Sequence, residues 1–81
     1  MRYALLKRRG IDVVVVMVPE QVIDDPQERA HAAARAYLVF HMSTVLISHL
    51  QHRRHGNGEI VRVLDGVDMT RLPWRLYSVA A

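Results

Sequence analysis

Six consecutive apolar residues, Val13-Val14-Val15-Val16-Met17-Val18, constrain the fold of this chain more than any other feature. Five of the six are β-branched, and no polar residue alternates with them. Such a run reads as a strand covered on both faces, because a half-buried strand would alternate. Pro19 ends it, having no N–H to give to a ladder. Upstream, Tyr3 to Lys7 forms a second apolar stretch, joined to the first by Arg8-Arg9-Gly10-Ile11. The glycine in that short connection predicts a hairpin. The alternative is a short helix over Tyr3 to Arg9 leading into a parallel strand.

A strand that must be covered twice needs helices or sheets on both sides. Asp24-Asp25-Pro26-Gln27-Glu28 supplies a helix start. The Asp25 carboxylate suits the first free N–H groups, and proline is at home in the first turn. Glu28 stands where a capping box would use it, and it faces the positive helix pole. The following Glu28 to Tyr37 segment is rich in strong helix formers.

No glycine or proline occurs from Gln27 to His55. Arg53, Arg54 and His55 then precede Gly56-Asn57-Gly58, which matches the basic last turn and glycine stop of a helix. These signals predict one helix of about 30 residues, with a possible kink at Ser43-Thr44. The competing expectation ends the helix near His41 and makes Thr44 to His52 a strand, favoured by Thr44, Val45 and Ile47. Beyond it, Glu59 to Leu64 alternates like a strand, Asp65-Gly66-Val67-Asp68 reads as a turn, and Thr70 to Val79 as a last strand. Pro73 places that last strand at a sheet edge. The expected fold is α+β, order ββαββ, one long helix on a small antiparallel sheet. The shorter-helix version gives ββαβββ with five strands.

No repeat or linker divides the chain, so residues 1–81 read as a single small α+β domain. At 81 residues the core is thin, burying about 60–65% of the unfolded surface. Cysteine is absent, which excludes disulfides, thiolate metal sites and a cysteine nucleophile. The first ten residues lack the apolar core and cleavage site of a signal peptide. Ala36 to Leu50 is too interrupted by polar residues to span a membrane. A cytoplasmic location with no membrane association is therefore expected.

A continuous helix would be apolar nearly all round from Leu38 to Leu50 and would need cover on more than one side. That predicts a homodimer or higher oligomer, with Leu38, His41, Val45, Leu46, His49 and Leu50 at the interface. It would also gather all five histidines within an arc of about 120°. His49, His52 and His55, three apart, then form a candidate Zn²⁺ or Ni²⁺ site. Arg53 and Arg54 stand beside them and oppose a dication, and protonatable residues at a helix end have the simpler reading of dipole complements. No cofactor is required by any other motif. Glu28 and His31 form a Glu-x-x-His pair, but no second acid follows on that helix.

Charge suggests a further surface. The formal net charge is +3. Arg8, Arg9, Arg53 and Arg54 lie in two glycine-punctuated basic segments, and Arg71 and Arg75 flank Trp74. If gathered, these residues would contact phosphates and stack a base. No helix-turn-helix, RNP, KH or zinc-finger pattern accompanies them. Arginines at wet turns and a tryptophan in the core explain the same residues.

Nor does the sequence carry GxSxG, Walker, dinucleotide or HExxH motifs. Asp65, Asp68 and His41 are the available acid–base groups, with no spacing that unites them. Tyr37, His41 and Met42 are candidates to line a pocket between helix and sheet. The chain therefore reads as a binding or regulatory protein acting through protein contacts. Nucleic-acid binding is the alternative and histidine-mediated metal binding the second.

Overall fold

The computed structural model describes residues 1–77. A hairpin opens the chain: β1 (Arg2–Arg8) and β2 (Ile11–Val18) pair antiparallel, Arg8 opposite Ile11. Its two-residue turn has Arg9 at φ 53° and Gly10 at φ 76°. Two positive φ values are what a type I′ turn demands, and that turn matches the twist of the strands it joins. The hairpin expectation holds.

Two helices follow, α1 (Glu20–Asp24) and α2 (Pro26–Phe40). Asp25 caps α2 as expected, accepting from the Gln27 N–H at 2.9 Å and the Glu28 N–H at 3.4 Å. The Asp25 N–H, which a capping box would offer to Glu28, instead donates to the Gln21 carbonyl of α1.

The long helix does not form. α2 stops at Phe40, and His41 takes the left-handed C-terminal position at φ 51°. Its N–H donates to the Tyr37 carbonyl at 2.8 Å. A left-handed histidine does here what glycine usually does, so a search for glycine could not find this helix end. Ser43–Ser48 then forms β3, as the shorter-helix version expects. Its register places Val13 beside Ser43 and Val18 beside Ser48, parallel to β2. The sheet is therefore mixed, not antiparallel throughout: a 15-residue helix reverses the chain and returns it parallel.

β4 (Arg54–His55) pairs antiparallel with β3, and β5 (Arg75–Leu76) pairs antiparallel with β1. The sheet order is β4-β3-β2-β1-β5. Glu59 to Leu64, expected as a strand, instead begins with the short helix α3 (Gly58–Arg62). The Asn57 side chain caps it, accepting from the Glu59 N–H at 2.9 Å. The turn expected at Asp65 to Asp68 falls slightly earlier, over residues 63–66, with Gly66 at φ 78°. Met69–Arg71 forms a 3-10 helix, so the last strand shrinks to Arg75–Leu76; Ser78 and Val79 lie outside the described residues.

Alternation along β2 divides the core. Val14, Val16 and Val18 pack with Ile23, Ala36 and Leu46 beneath α1 and α2. Val13 and Val15 pack with Val45, Ile47, Val63, Leu64 and Met69 beneath α3 and the chain that follows it. β2 is thus covered on both faces, as its sequence requires. Fully burying each such aliphatic side chain stabilises by about 1.5–3 kcal/mol. α2 can lie close because its inward positions are Ala32, Ala33 and Ala36. The fold is α+β in the ββαβ arrangement, extended at both edges by two-residue strands.

Candidate functional site

The two sheet edges differ in charge and in how they are closed. At the β3–β4 edge, the turn from Ser48 to Arg53 is pinned to α1. One Glu20 carboxylate oxygen accepts from the backbone N–H groups of Leu50 at 2.8 Å and Gln51 at 2.7 Å. The other accepts from the Arg53 guanidinium at 2.9 Å, which also donates to Asp24 at 2.7 Å. The buried Ser48 hydroxyl accepts from the Arg53 N–H at 2.7 Å.

Desolvation would raise the Glu20 pKa, but donation from the Gln51 amide, the Arg53 guanidinium, the Leu50 amide and Ser48 outweighs it. The group is held at about 2. Asp24 is lowered too, first by its hydrogen bond to Arg53. Arg53 is pushed above its ordinary value by the same two acids. Arg53 thus ties the turn to both acids of α1.

Arg54 and Arg8 converge on one residue from different strands. Arg54 lies 3.6 Å from the Asp65 carboxylate, and Arg8 donates to the carbonyls of Val63 at 3.2 Å and Asp65 at 3.0 Å. Arg71 lies 3.6 Å from Asp68. The Trp74 N–H donates to the Met69 carbonyl at 2.8 Å, and its ring packs on the Val13–Val15 core. Of the residues expected to grip nucleic acid, only Arg9 and Arg75 are without an internal polar partner among the described residues.

The histidine arc dissolves with the long helix. His49 lies in the turn after β3, its Nδ1 3.2 Å from the Met17 sulfur. His52 sits at φ 53° in the same turn, and His55 lies in β4. Burial, and then Arg29, lower the His55 pKa. Among the described residues no three His, Asp or Glu side chains are grouped to hold a metal ion.

The expected interface disperses likewise. Val45 and Leu46 are core residues, fully buried within the chain, because they belong to an inner strand rather than a helix surface. Leu38 is exposed on α2, His41 caps that helix, and His49 and Leu50 lie in the pinned turn. The requirement for a second helix to cover this stretch disappears. Tyr37 and His41 do not line a pocket beneath the helix; both are exposed and meet edge to face at 6.1 Å. Among the described residues no helix is long and apolar enough to cross a membrane.

The β1 edge is open. β5 pairs with β1 only at Arg2 and Tyr3. Met1 and Tyr77 exchange N–H and carbonyl bonds at 3.1 and 2.8 Å. Odd-numbered residues of β1 therefore turn their backbone away from β2, as the alternation of an antiparallel ladder requires. Leu5 and Lys7 continue that outward series without a strand partner among the described residues. Beside them a groove of about 450 Å³ is lined by Leu5, Leu6, Lys7, Asp12 and Met42. Leu5 is 45% exposed there. A second hollow of about 300 Å³ lies over Val16 and Val18, with Glu28, His31 and Arg35 of α2 at its rim.

Glu20 and Leu5 carry these features although no sequence motif singled them out, whereas Met42, a candidate pocket residue from the sequence, does line the groove. Glu20 and Arg53 are 33 positions apart, a separation that no local rule reads. No family model matches the chain, and searches of curated proteins and of solved structures likewise found no match.

Proposed function

We propose that this protein is a small binding module acting through protein–protein contacts, and that the free edge of β1 is its contact surface. The observation that carries this reading is the mismatch between a seven-residue strand and its two-residue neighbour. Unpaired N–H and carbonyl groups on an edge strand recruit another strand, and natural proteins usually blunt them. The opposite edge is covered: past β4, Gly56 sits close against the Thr44 carbonyl and the Val45 backbone, and the turn before β4 is pinned to α1. At β1 an aliphatic groove accompanies the open backbone. Main-chain bonds with a side-chain pocket beside them are the components of strand addition.

The test is selection of extended peptides from a random display library on the folded protein, with Leu5→Pro as the reference. Proline there removes an N–H that points away from β2, so the hairpin ladder is kept. Enriched peptides that bind the wild type and fail on Leu5→Pro support the reading. Equal enrichment on both proteins, or none on either, defeats it.

A second reading, nucleic-acid binding, is favoured by Arg9 and Arg75. It expects retardation of random oligonucleotides that weakens steeply between ~50 and ~200 mM salt. Arg9→Ala/Arg75→Ala would abolish it, whereas retardation unchanged by that pair would count against it.

A further inference from the structure

Resting on strand addition at β1, we propose that the partner is an acidic extended segment in which an acid precedes an aliphatic residue by two positions. Charge distribution is the first support. Arg2, Lys7, Arg9 and Arg75 all lie on β1, its turn or β5. None forms an ion pair among the described residues. Asp12, opposite Lys7, is the one acid set against them on the hairpin. Arg8, also on β1, brings the hairpin and β5 to five cations against that one acid. The rest of the chain, six cations and seven acids, sums to −1, so the positive charge is concentrated on this edge.

Geometry then sets the order of residues. Leu5 and Lys7 turn their backbones outward and place their side chains on the face of Val14 and Asp12, their β2 partners. A partner running antiparallel, as β2 and β5 already do, meets Lys7 first and Leu5 two residues later. Its acid faces Lys7 and approaches Arg9, and its aliphatic side chain enters the groove between Leu5 and Met42. Opposite charges facing each other across strands attract, and like charges repel.

The same facts disfavour other occupants. A second copy paired through β1 would bring two positive edges together. Nucleic acid would find no free aromatic platform among these cations. Tyr3 and Tyr77 both pack on Phe40, with ring centres at 4.6 and 6.0 Å, and the Trp74 N–H is committed to Met69.

The test is fluorescence anisotropy with a capped, labelled threonine nonapeptide whose centre is Glu-Thr-Val, beside its Lys-Thr-Val counterpart and a thymidine 20-mer. The Glu-Thr-Val peptide is expected to bind about tenfold more tightly than the lysine peptide, an attraction being replaced by a repulsion. Binding is lost in Leu5→Pro, and Lys7→Glu inverts the preference, with amide spectra checking that both variants fold. Equal binding of the two peptides, no binding of either, or tighter binding of the oligonucleotide overturns the proposal. So does a dimer in light scattering that Leu5→Pro dissociates. If the display selection yields Leu5→Pro-sensitive peptides that are not acidic, the partner chemistry fails while strand addition stands.

Discussion

The Glu20 carboxylate lies 2.9 Å from the Arg53 guanidinium and spans two backbone amides with its other oxygen, so it holds the β3–β4 turn against α1, with Asp24 as a second tie through Arg53. Glu20→Gln keeps the shape and one acceptor but loses the charge. The variant is expected to melt at lower temperature, with faster exchange at the Leu50 and Gln51 amides. Unchanged exchange there would show that the pin does not hold the turn.

The same group predicts a pH dependence. The folded pKa of Glu20 is lowered from 4.5 to about 2. Its contribution is therefore fully present above pH 4.5 and is lost as pH falls toward 2, where the folded state too takes up the proton. Urea midpoints measured from pH 7 down to 2 should fall more steeply for wild type than for Glu20→Gln over that window. Parallel curves would contradict this assignment.

His41 occupies a left-handed position without a glycine's freedom. His41→Gly is expected to raise stability by about 0.5–1 kcal/mol, because the Cβ clash of that region is removed. His41→Val should lower it. Urea unfolding measures both, and a destabilised glycine variant would mean that the ring contact with Tyr37 outweighs backbone strain.

Ile47 is fully buried in β3, whereas Leu38 is 70% exposed on α2. Ile47→Ala should cost about 2–5 kcal/mol, and Leu38→Ser should stay within about 0.5 kcal/mol. The continuous-helix expectation would have placed residues 38 and 47 on one long helix. Nine positions apart, they would lie on opposite faces of such a helix too, so the two denaturation curves test the contrast in burial.

The glycines that resembled a helix stop behave differently from each other. A Cβ at Gly56 would lie 3.1 Å from the Thr44 carbonyl oxygen, a backbone atom, while Gly58 has open space and begins α3. Gly56→Ala should destabilise by about 1–3 kcal/mol. Gly58→Ala should stabilise by about 0.4–1 kcal/mol. Thermal melts of the two variants are expected to move in opposite directions.

Local chemistry alone determined the hairpin with its Arg9-Gly10 turn, the doubly covered β2, its end at Pro19, the Asp25 cap and the turn at Gly66. Each depends on residues within a few positions of one another, where sterics and hydrogen bonding leave one good solution. The α+β class followed from the same signals. Three outcomes belonged to the tertiary structure. Residues 43–48 became a strand because β2 offered a parallel partner and two apolar layers. That environment outweighed the absence of a turn residue at His41-Met42. Residues 58–62 became a helix because Asn57 caps it and the Val13–Val15 face needed cover. The fates of Arg53 and Arg54 were settled by partners distant in sequence: Glu20 and Asp24 took Arg53, and Asp65 took Arg54, while Arg9 and Arg75 stayed on an open edge. Propensity acts along the chain, but burial and charge pairing act across it, so the site lies where the sequence alone has no ruler.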